Sequence, residues 1–223
     1  MRIDIIFDTI CPWCFVGKKR LEETLKARSK LVPEIFWHAF QLNPDMQPEG
    51  VDHKEFMKRK FGGDLRSQRL FGSIVQAGES LGIDFRFDRI KRTPNTVDSH
   101  RLVRFAAQQN SQSANETVET LFNSYFLEGR DIGNRSVLID IGISELAFEE
   151  DELRRYLYSD ENVSDIGEQN ARAHRLGISG VPAFIFDGQF SISGAQDANV
   201  INRIIDISEE KRRELFETGT QPV

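Results

Sequence analysis

The β-rich segments of this sequence lie only at its two ends, and this distribution limits the folds that the chain can adopt. Residues 1–7 alternate and are rich in β-forming side chains, and residues 35–40 form a second apolar run after Pro33. Between them, apolar side chains recur with helical spacing from Pro12 to about Arg28. The first forty residues therefore predict a β-α-β unit, the smallest unit that joins two parallel strands.

The C-terminal end predicts two more strands and a helix. Residues 183–186 form a compact apolar strand, Asp187-Gly188 is a two-residue hairpin turn, and residues 190–192 form the partner strand. A last helix follows, with an apolar face over residues 198–205. If the two ends of the chain pack together, they make a mixed α/β sheet of four strands with helices on both faces.

The long segment between the two ends shows successive helical patterns. One of them begins at Ser113, where Ser113 and Glu116 have the spacing of a capping box. The sequence therefore predicts two domains. Residues 1–48 and 177–223 form one discontinuous α/β domain, and residues 49–176 form a helical insertion domain.

Charge and composition exclude several classes of protein. The chain has 29 basic and 35 acidic side chains, and the net charge of −6 argues against general nucleic-acid binding. No apolar run approaches the ~18 residues that a membrane span needs. The first residues lack the apolar region of a secretory signal. The expected location is the cytoplasm, with no nucleic acid and no membrane as partner.

The two cysteines carry the sharpest chemical signal. Cys11-Pro12-Trp13-Cys14 falls between the first strand and the first helix, where Pro12 suits the first helical turn. The helix N-terminus favours a thiolate at Cys11, whereas Cys14 lies one turn further in and is expected to be buried and protonated. An exposed nucleophile beside a buried resolving thiol is what thiol–disulfide exchange requires.

Two other interpretations of the cysteine pair fit the sequence less well. A structural zinc site needs two more ligands, and the sequence has neither a second Cys-x-x-Cys nor two histidines at ligand spacing, so no metal is predicted. An inert packing pair fits poorly with a strand-to-helix turn. A disulfide scaffold is excluded because the chain has only two cysteines.

A proline also stands directly before the first C-terminal strand, in Gly180-Val181-Pro182-Ala183. A proline at this place is either an edge feature or a cis-proline. An ordinary trans bond is the default for an isolated motif.

Several motifs in order along the chain resemble the DsbA-like branch of the thioredoxin superfamily, and among its members the FrnE-type oxidoreductases. The motifs are Phe7-Asp8-x-x-Cys-Pro-Trp-Cys, Phe40-x-Leu42-Asn43-Pro44-Asp45, Pro94-Asn95-Thr96 with His100, Gly177-Ile178-x-Gly180-Val181-Pro182, and Ser193-Gly194-Ala195-Gln196. The resemblance covers about residues 2 to 206. Ala39 departs from it, because relatives often have proline there.

The resemblance implies a thioredoxin-like fold and a set of site residues. Cys11 and Cys14 are the implied catalytic pair, and Pro182 is implied to be cis and close to Cys11. The backbone of Val181 would pair with a substrate strand. Pro12 and Trp13 complete the substrate-binding set.

Asp8, His38 and His100 are the other polar residues that the sequence places near the cysteine motif or in the matching motifs. Asp8 lies three residues before Cys11 and either tunes its pKa, relays a proton or simply caps the turn. His38 and His100 are expected to be hydrogen-bonded structural residues rather than parts of the site.

The leading functional hypothesis is a DsbA-like protein disulfide oxidoreductase, with Cys11 as nucleophile and Cys14 as resolving thiol. It needs no cofactor beyond its own disulfide, with glutathione as a reductant or co-substrate left open. The expected partners are substrate proteins or small disulfides and a thiol redox recycling partner, and a homodimer is left open. The direction of electron flow, the natural substrate and the redox potential do not follow from the sequence.

Two alternatives belong to other classes. One is a glutathione-dependent isomerase or transferase acting on a small aromatic substrate. Its resemblance is to 2-hydroxychromene-2-carboxylate isomerases and kappa-class glutathione transferases, which usually carry serine at the Cys11 position. The other is a redox-sensing or chaperone-like binding protein in which the cysteines only gate binding.

Overall fold

The computed structural model describes residues 1–62 and 64–218, so residues 219–223 of the predicted α/β domain lie outside the described part. The strands are β1 (Arg2–Phe7), β2 (Glu34–Ala39), β3 (Val51–Asp52), β4 (Arg92–Thr93), β5 (Ala183–Phe186) and β6 (Phe190–Ser193). The helices are α1 (Pro12–Lys26), α2 (His53–Phe61), α3 (Asp64–Glu79), α4 (Val97–Gln109), α5 (Ser111–Phe126), α6 (Arg135–Ser144), α7 (Glu150–Tyr158), α8 (Val163–Arg175) and α9 (Ala198–Thr218).

The two ends of the chain form one four-stranded sheet in the order β2-β1-β5-β6. β1 pairs with β2 in parallel and with β5 antiparallel, and β5 pairs with β6 antiparallel. The predicted mixed sheet is therefore confirmed. Because β1 is central, the chain that leaves its C-terminal end enters α1 at the edge of the sheet where β2 also ends.

The two faces of the sheet bury different side chains, as the alternation along β1 dictates. Ile3, Ile5 and Phe7 point into the main core, which also contains side chains of α1 and of the inserted helices. Ile6 points to the opposite face and packs in a smaller cluster with Ala173 of α8. One continuous core thus joins the sheet to the insertion, and the division into two domains stays a prediction.

The β5–β6 hairpin differs slightly from its prediction. Asp187 and Gly188 both have positive φ, 48° and 69°, as expected for an Asp-Gly turn. However, Phe186 pairs with Phe190, so three residues rather than two separate the paired positions. The backbone N–H of Gln189 donates to the Phe186 carbonyl at 3.0 Å and closes the turn.

The insertion contains two features that the helical pattern did not predict. β3 and β4 form a short antiparallel ladder, with Val51 opposite Thr93, and strands of two residues leave no periodic signal. The prediction of a capping box at Ser113 is also wrong, because α5 begins at Ser111. Its cap is Asn110, whose side chain accepts the Ser113 backbone N–H.

Across the described ranges, 1–62 and 64–218, no helix combines the length and the apolar character needed to cross a membrane.

Candidate active site

Both cysteines lie on the first turn of α1, directly after the C-terminal end of β1. Cys11 is the N-cap residue with extended backbone, and Pro12 is the first helical residue. The backbone N–H groups of Cys14 and Phe15 donate to the Cys11 carbonyl at 3.0 and 3.4 Å. Because N–H groups at the start of a helix have no intrahelical partners, the Cys11 sulfur lies at the positive end of the helix dipole.

The structure corrects the expected exposure of Cys11. Its exposed fraction is 5 %, against 2 % for Cys14, so both thiols are buried. Cys11 is buried rather than exposed because the segment before β5 lies against it. Its S–H donates to the Val181 carbonyl at 3.5 Å. Only the tertiary fold brings a residue 170 positions away against Cys11, and the local sequence around the cysteines could not show it.

The two thiols differ in their chemistry. Burial raises the pKa of Cys14 well above its ordinary value, and the neighbouring Cys11 and the charge of Asp8 raise it further. The raised pKa therefore keeps the Cys14 thiol protonated at neutral pH. Both cysteines are free in this structure.

The Val181–Pro182 peptide bond is cis and lies beside the N-terminal half of α1. Gly17 of α1 makes this close approach possible. A Cβ at that position would lie 3.0 Å from Pro182 Cγ and from Phe184 Cζ, which is tighter than most real contacts. The Pro182 carbonyl accepts the Gly194 N–H at 2.7 Å, and this bond ties the segment to the end of β6. Pro12, Trp13 and Val181 are half-buried, whereas Pro182 is buried.

Asp8 is completely buried beneath the first turn of α1. Its Oδ2 accepts the Leu42 N–H at 2.7 Å, and its backbone carbonyl accepts the Cys11 N–H at 3.0 Å. Its Oδ1 lies 3.5 Å from the Nε2 of His100, which is 2 % exposed. Asp8 therefore does more than cap a turn, because it connects the cysteine loop with the loop after β2 and with α4.

The structure separates the two histidines that the sequence treated alike. His38 is partly exposed and bonds Asp4 at 2.6 Å, whereas His100 is buried and its Nε2 lies 3.5 Å from Asp8 Oδ1. The sequence predicts a hydrogen-bonded structural role for His100, and its Nε2 bonds the Phe40 carbonyl at 3.2 Å. Its position four residues after Thr96 in the Pro94-Asn95-Thr96 motif is the signal that could have placed it near Asp8. Lys60 was missed altogether. Burial lowers its pKa, while the charges of Asp8 and Cys11 act in the opposite direction.

Within residues 1–62 and 64–218, no group of three or more His, Cys, Asp or Glu side chains could hold a metal ion.

Comparisons with known proteins agree with this geometry. The family model described as the DSBA-like thioredoxin domain matches residues 2–206, so the chain belongs to this family of the thioredoxin fold. The predicted fold class is thereby confirmed. The finer FrnE-type assignment stays a prediction.

The particular relatives are more diverse. The chain is 26 % identical over 220 residues to the uncharacterized protein YwbO of Bacillus subtilis, covering 95 % of this chain and 99 % of YwbO. The solved structure of a probable DsbA oxidoreductase from Streptomyces coelicolor superposes with a TM-score of 0.85 at 24 % identity, covering 100 % of this chain and 92 % of the other. A 2-hydroxychromene-2-carboxylate isomerase superposes with a TM-score of 0.68 at 16 % identity, covering 100 % of both chains.

Proposed function

We propose that this protein is a thiol–disulfide oxidoreductase that exchanges disulfides with proteins or small molecules through Cys11 and Cys14. The observation that carries the proposal is the asymmetric pair of thiols on the first turn of α1. Cys11 is at the helix N-terminus against the Val181 carbonyl, and Cys14 is buried with a raised pKa. An asymmetric pair of this kind can attack a disulfide and then resolve the product.

The reaction begins with the Cys11 thiolate, which the helix N-terminus favours. Its sulfur attacks one sulfur of the substrate disulfide, and the other leaves as a thiolate with the bonding electron pair. Cys14 then attacks the Cys11 sulfur, so the second substrate thiolate leaves and the Cys11–Cys14 disulfide forms. Two electrons pass from the cysteine pair to the substrate, and the redox group belongs to the chain itself.

Substrate binding is assigned to the surface around Cys11. Val181 lies just before β5, and in this proposal its backbone pairs with an extended substrate segment. Pro12 and Trp13 are half-buried beside Cys11 and offer apolar contacts to the same segment. Because Cys11 is buried, the protein segment that contains Val181 must shift slightly as substrate approaches.

The main competing function is glutathione-dependent isomerisation of a small aromatic substrate. The fold does not separate the two, because the isomerase structure has the same architecture. The presence of Cys14 favours the oxidoreductase, since isomerisation does not need a resolving cysteine. Glutathione enters our proposal as a reductant that returns the Cys11–Cys14 disulfide to the dithiol in the cytoplasm.

The test is a pair of substitutions assayed by insulin-disulfide reduction. Cys11→Ser is expected to abolish the activity, and Cys14→Ser is expected to accumulate mixed disulfides between Cys11 and substrate, seen by mass spectrometry. Circular dichroism checks that both variants fold. Activity retained in Cys11→Ser would exclude the proposal. Thioether formation from glutathione and an electrophile, undiminished in Cys14→Ser, would favour the isomerase or transferase.

The reduction potential of the pair decides the direction of electron flow. We expect reductase or isomerase work, because a reducing cytosol keeps the disulfide transient. Equilibration with glutathione buffers measures the potential, and a strongly oxidising value would instead favour net oxidation.

A further inference from the structure

The segment that covers Cys11 has a defined position against α1. The Cys11 S–H donates to the Val181 carbonyl at 3.5 Å, and Pro182 packs against Gly17 one and a half turns further along the helix. Because Cys11 is 5 % exposed, the position of this segment decides how far a substrate can reach the sulfur. A residue that fixes the segment therefore acts on the reaction without touching either thiol.

The Val181–Pro182 segment is bonded to the loop that follows β6. The Pro182 carbonyl accepts the Gly194 N–H at 2.7 Å, directly beyond the end of the β5–β6 ladder. The 193–196 loop is itself closed by two bonds of Gln196. The backbone N–H of Gln196 donates to the Gly194 carbonyl at 2.9 Å, and its Nε2 donates to the Ser193 carbonyl at 2.8 Å. A displacement of this loop is therefore passed on to Pro182.

Arg20 of α1 holds the 193–196 loop from the other side. Its guanidinium donates to the Ala195 carbonyl at 2.5 Å, across 175 positions of the sequence. In the part of the chain that the structure describes, no carboxylate pairs with Arg20, so its charge is directed at this carbonyl. A hydrogen bond from a charged donor is roughly twice as strong as a neutral one. The helix thus holds the segment at two points, directly at Gly17 and through the loop at Arg20.

Two kinds of substrate depend differently on this segment. In the proposed function an extended strand of a polypeptide pairs with the backbone of Val181, so it needs Val181 at a fixed place and orientation. A small disulfide has no such strand and needs only access to the Cys11 sulfur. A segment held firmly over Cys11 therefore favours the polypeptide and shields the sulfur from the small disulfide.

We propose that Arg20 is a positioning residue that selects polypeptide disulfides over small ones. It holds the 193–196 loop, and through the Pro182 carbonyl it keeps Val181 in the orientation that an extended strand recognises. This inference rests on the proposed function. Without the bond from Arg20 to Ala195 the segment moves more freely, so strand pairing weakens while the Cys11 sulfur becomes easier to reach.

Arg28 provides a matched control on the same helix. Its guanidinium bonds Asn202 at 2.7 Å and Asp206 at 2.6 Å, and among the described residues its side-chain bonds all go to α9. Arg28 is partly buried, as Arg20 is, and carries the same charge. Arg28→Leu therefore removes a brace of α1 without releasing the segment that covers Cys11.

Two probes with the same leaving group separate the two kinds of substrate. One is a ten-residue peptide whose single cysteine is joined by a disulfide to thionitrobenzoate, and the other is mercaptoethanol joined in the same way. Cys11 forms a disulfide with the peptide or with mercaptoethanol, and thionitrobenzoate leaves as a coloured thiolate. Stopped-flow absorbance then gives the limiting rate and the half-saturating concentration of the peptide. The reduced wild type is compared with Arg20→Leu, Arg20→Gln, Arg20→Lys and Arg28→Leu, and Cys11→Ser gives the background.

The half-saturating peptide concentration should rise by about fivefold to tenfold in Arg20→Leu and Arg20→Gln, as expected for the loss of one charge-assisted hydrogen bond. The limiting rate should stay within about twofold, because the reacting sulfurs are the same. The mercaptoethanol probe should react about twofold to fivefold faster, because the Cys11 sulfur is easier to reach. Arg20→Lys keeps the charge and a donor and should lie between these variants and the wild type. Arg28→Leu should match the wild type within about twofold with both probes.

Alkylation measures the exposure of the Cys11 sulfur independently. In a Cys14→Ser background Cys11 is the single thiol of the chain. Iodoacetamide should modify it about twofold to fivefold faster when Arg20→Leu is added, after correction for the thiolate fraction measured by absorbance.

An unchanged half-saturating peptide concentration in Arg20→Leu and Arg20→Gln would overturn the inference, and so would an equal rise in Arg28→Leu. Slowing of both probes in equal proportion would overturn it as well, because a general structural effect explains that result. If Arg20→Leu does not fold, Arg20→Gln decides the question. Failure of the proposed function looks different, because Cys11→Ser would then release the coloured thiolate as fast as the wild type.

Discussion

His100 and Arg101 are consecutive residues of α4, yet they serve two different regions of the molecule. Arg101 is completely buried inside the insertion, where it bonds Asp98 at 2.6 Å and the carbonyls of four residues: Tyr156, Leu157, Ser159 and Glu161. His100 points towards the sheet and has two longer contacts, at 3.2 and 3.5 Å.

The two neighbours differ in how completely their polar atoms are bonded. The guanidinium of Arg101 is surrounded by acceptors and holds the end of α7 and the start of α8 to α4. A fully bonded buried charge of this kind is rigid and has no capacity left for reaction. The Asp8–His100 pair has fewer and longer bonds, and a cavity is lined by His100.

The largest effect on the free energy of unfolding is expected from substitution of Arg101. Arg101→Leu removes the charge that satisfies Asp98 and four carbonyls, so it should lower the free energy of unfolding by about 3–5 kcal/mol. Activity per folded molecule should be unchanged, because Arg101 does not contact the thiols. Urea unfolding and the insulin assay measure the two effects.

Arg154→Leu is the matched control, since Arg154 is half exposed and, among the residues that the structure describes, forms its ion pair with Glu150 one turn away. Its cost should stay within about 0.5 kcal/mol. Equal losses in the two variants would contradict the structural role assigned to Arg101.

An intermediate effect is expected at Asp187, a partly buried carboxylate of the sheet. Its oxygens accept the Arg2 N–H and the Ser208 hydroxyl, both at 2.7 Å. Burial by itself would raise the pKa of Asp187, but these bonds and the Arg212 charge bring it below its ordinary value. Asp187→Asn should therefore cost about 1 kcal/mol at neutral pH.

The pH dependence of this cost has a definite sign. A carboxyl whose pKa is lowered by folding stabilises the protein above its unfolded value, about 3.9, and loses that contribution as the pH falls through the folded value. The difference between wild type and Asp187→Asn should shrink below about pH 4. A difference that grows on acidification would contradict the assignment.

The smallest effect on stability, but a clear one on chemistry, is expected from Asp8→Asn. The asparagine can still accept the Leu42 N–H, so the free energy of unfolding should change by no more than about 1 kcal/mol. Because burial and then Cys11 and Asp8 raise the pKa of Cys14, removing the Asp8 charge should lower it. Thiolate absorbance in a Cys11→Ser background measures the titration. An unchanged or raised pKa of Cys14 would show that the Asp8 charge does not act on this thiol.

The sequence predicted the sheet well because its signals are local. Alternating apolar residues identify β1, Pro12 marks the start of α1, and Asp187-Gly188 places the hairpin. It failed where the signal is too short or depends on partners. The two-residue strands β3 and β4 have no period, and the choice of Asn110 over Ser113 at the start of α5 depends on which side chain reaches a free N–H.

The cysteine pair shows the same division within the site. Its residues and their spacing could be found in the sequence because Cys11-Pro12-Trp13-Cys14 is continuous. The burial of Cys11, the contact with Val181 and the meeting of Asp8 with His100 could not, because each joins residues far apart in the chain.

The sequence by itself determined that two thiols stand at a strand-to-helix turn, since periodicity, proline and helix polarity act between near neighbours. The tertiary structure decided that both thiols are buried and that the pKa of Cys14 is raised. Burial and charge–charge distances arise only when β1, α1, α4 and the segment before β5 pack together, and these quantities set the pKa of a group.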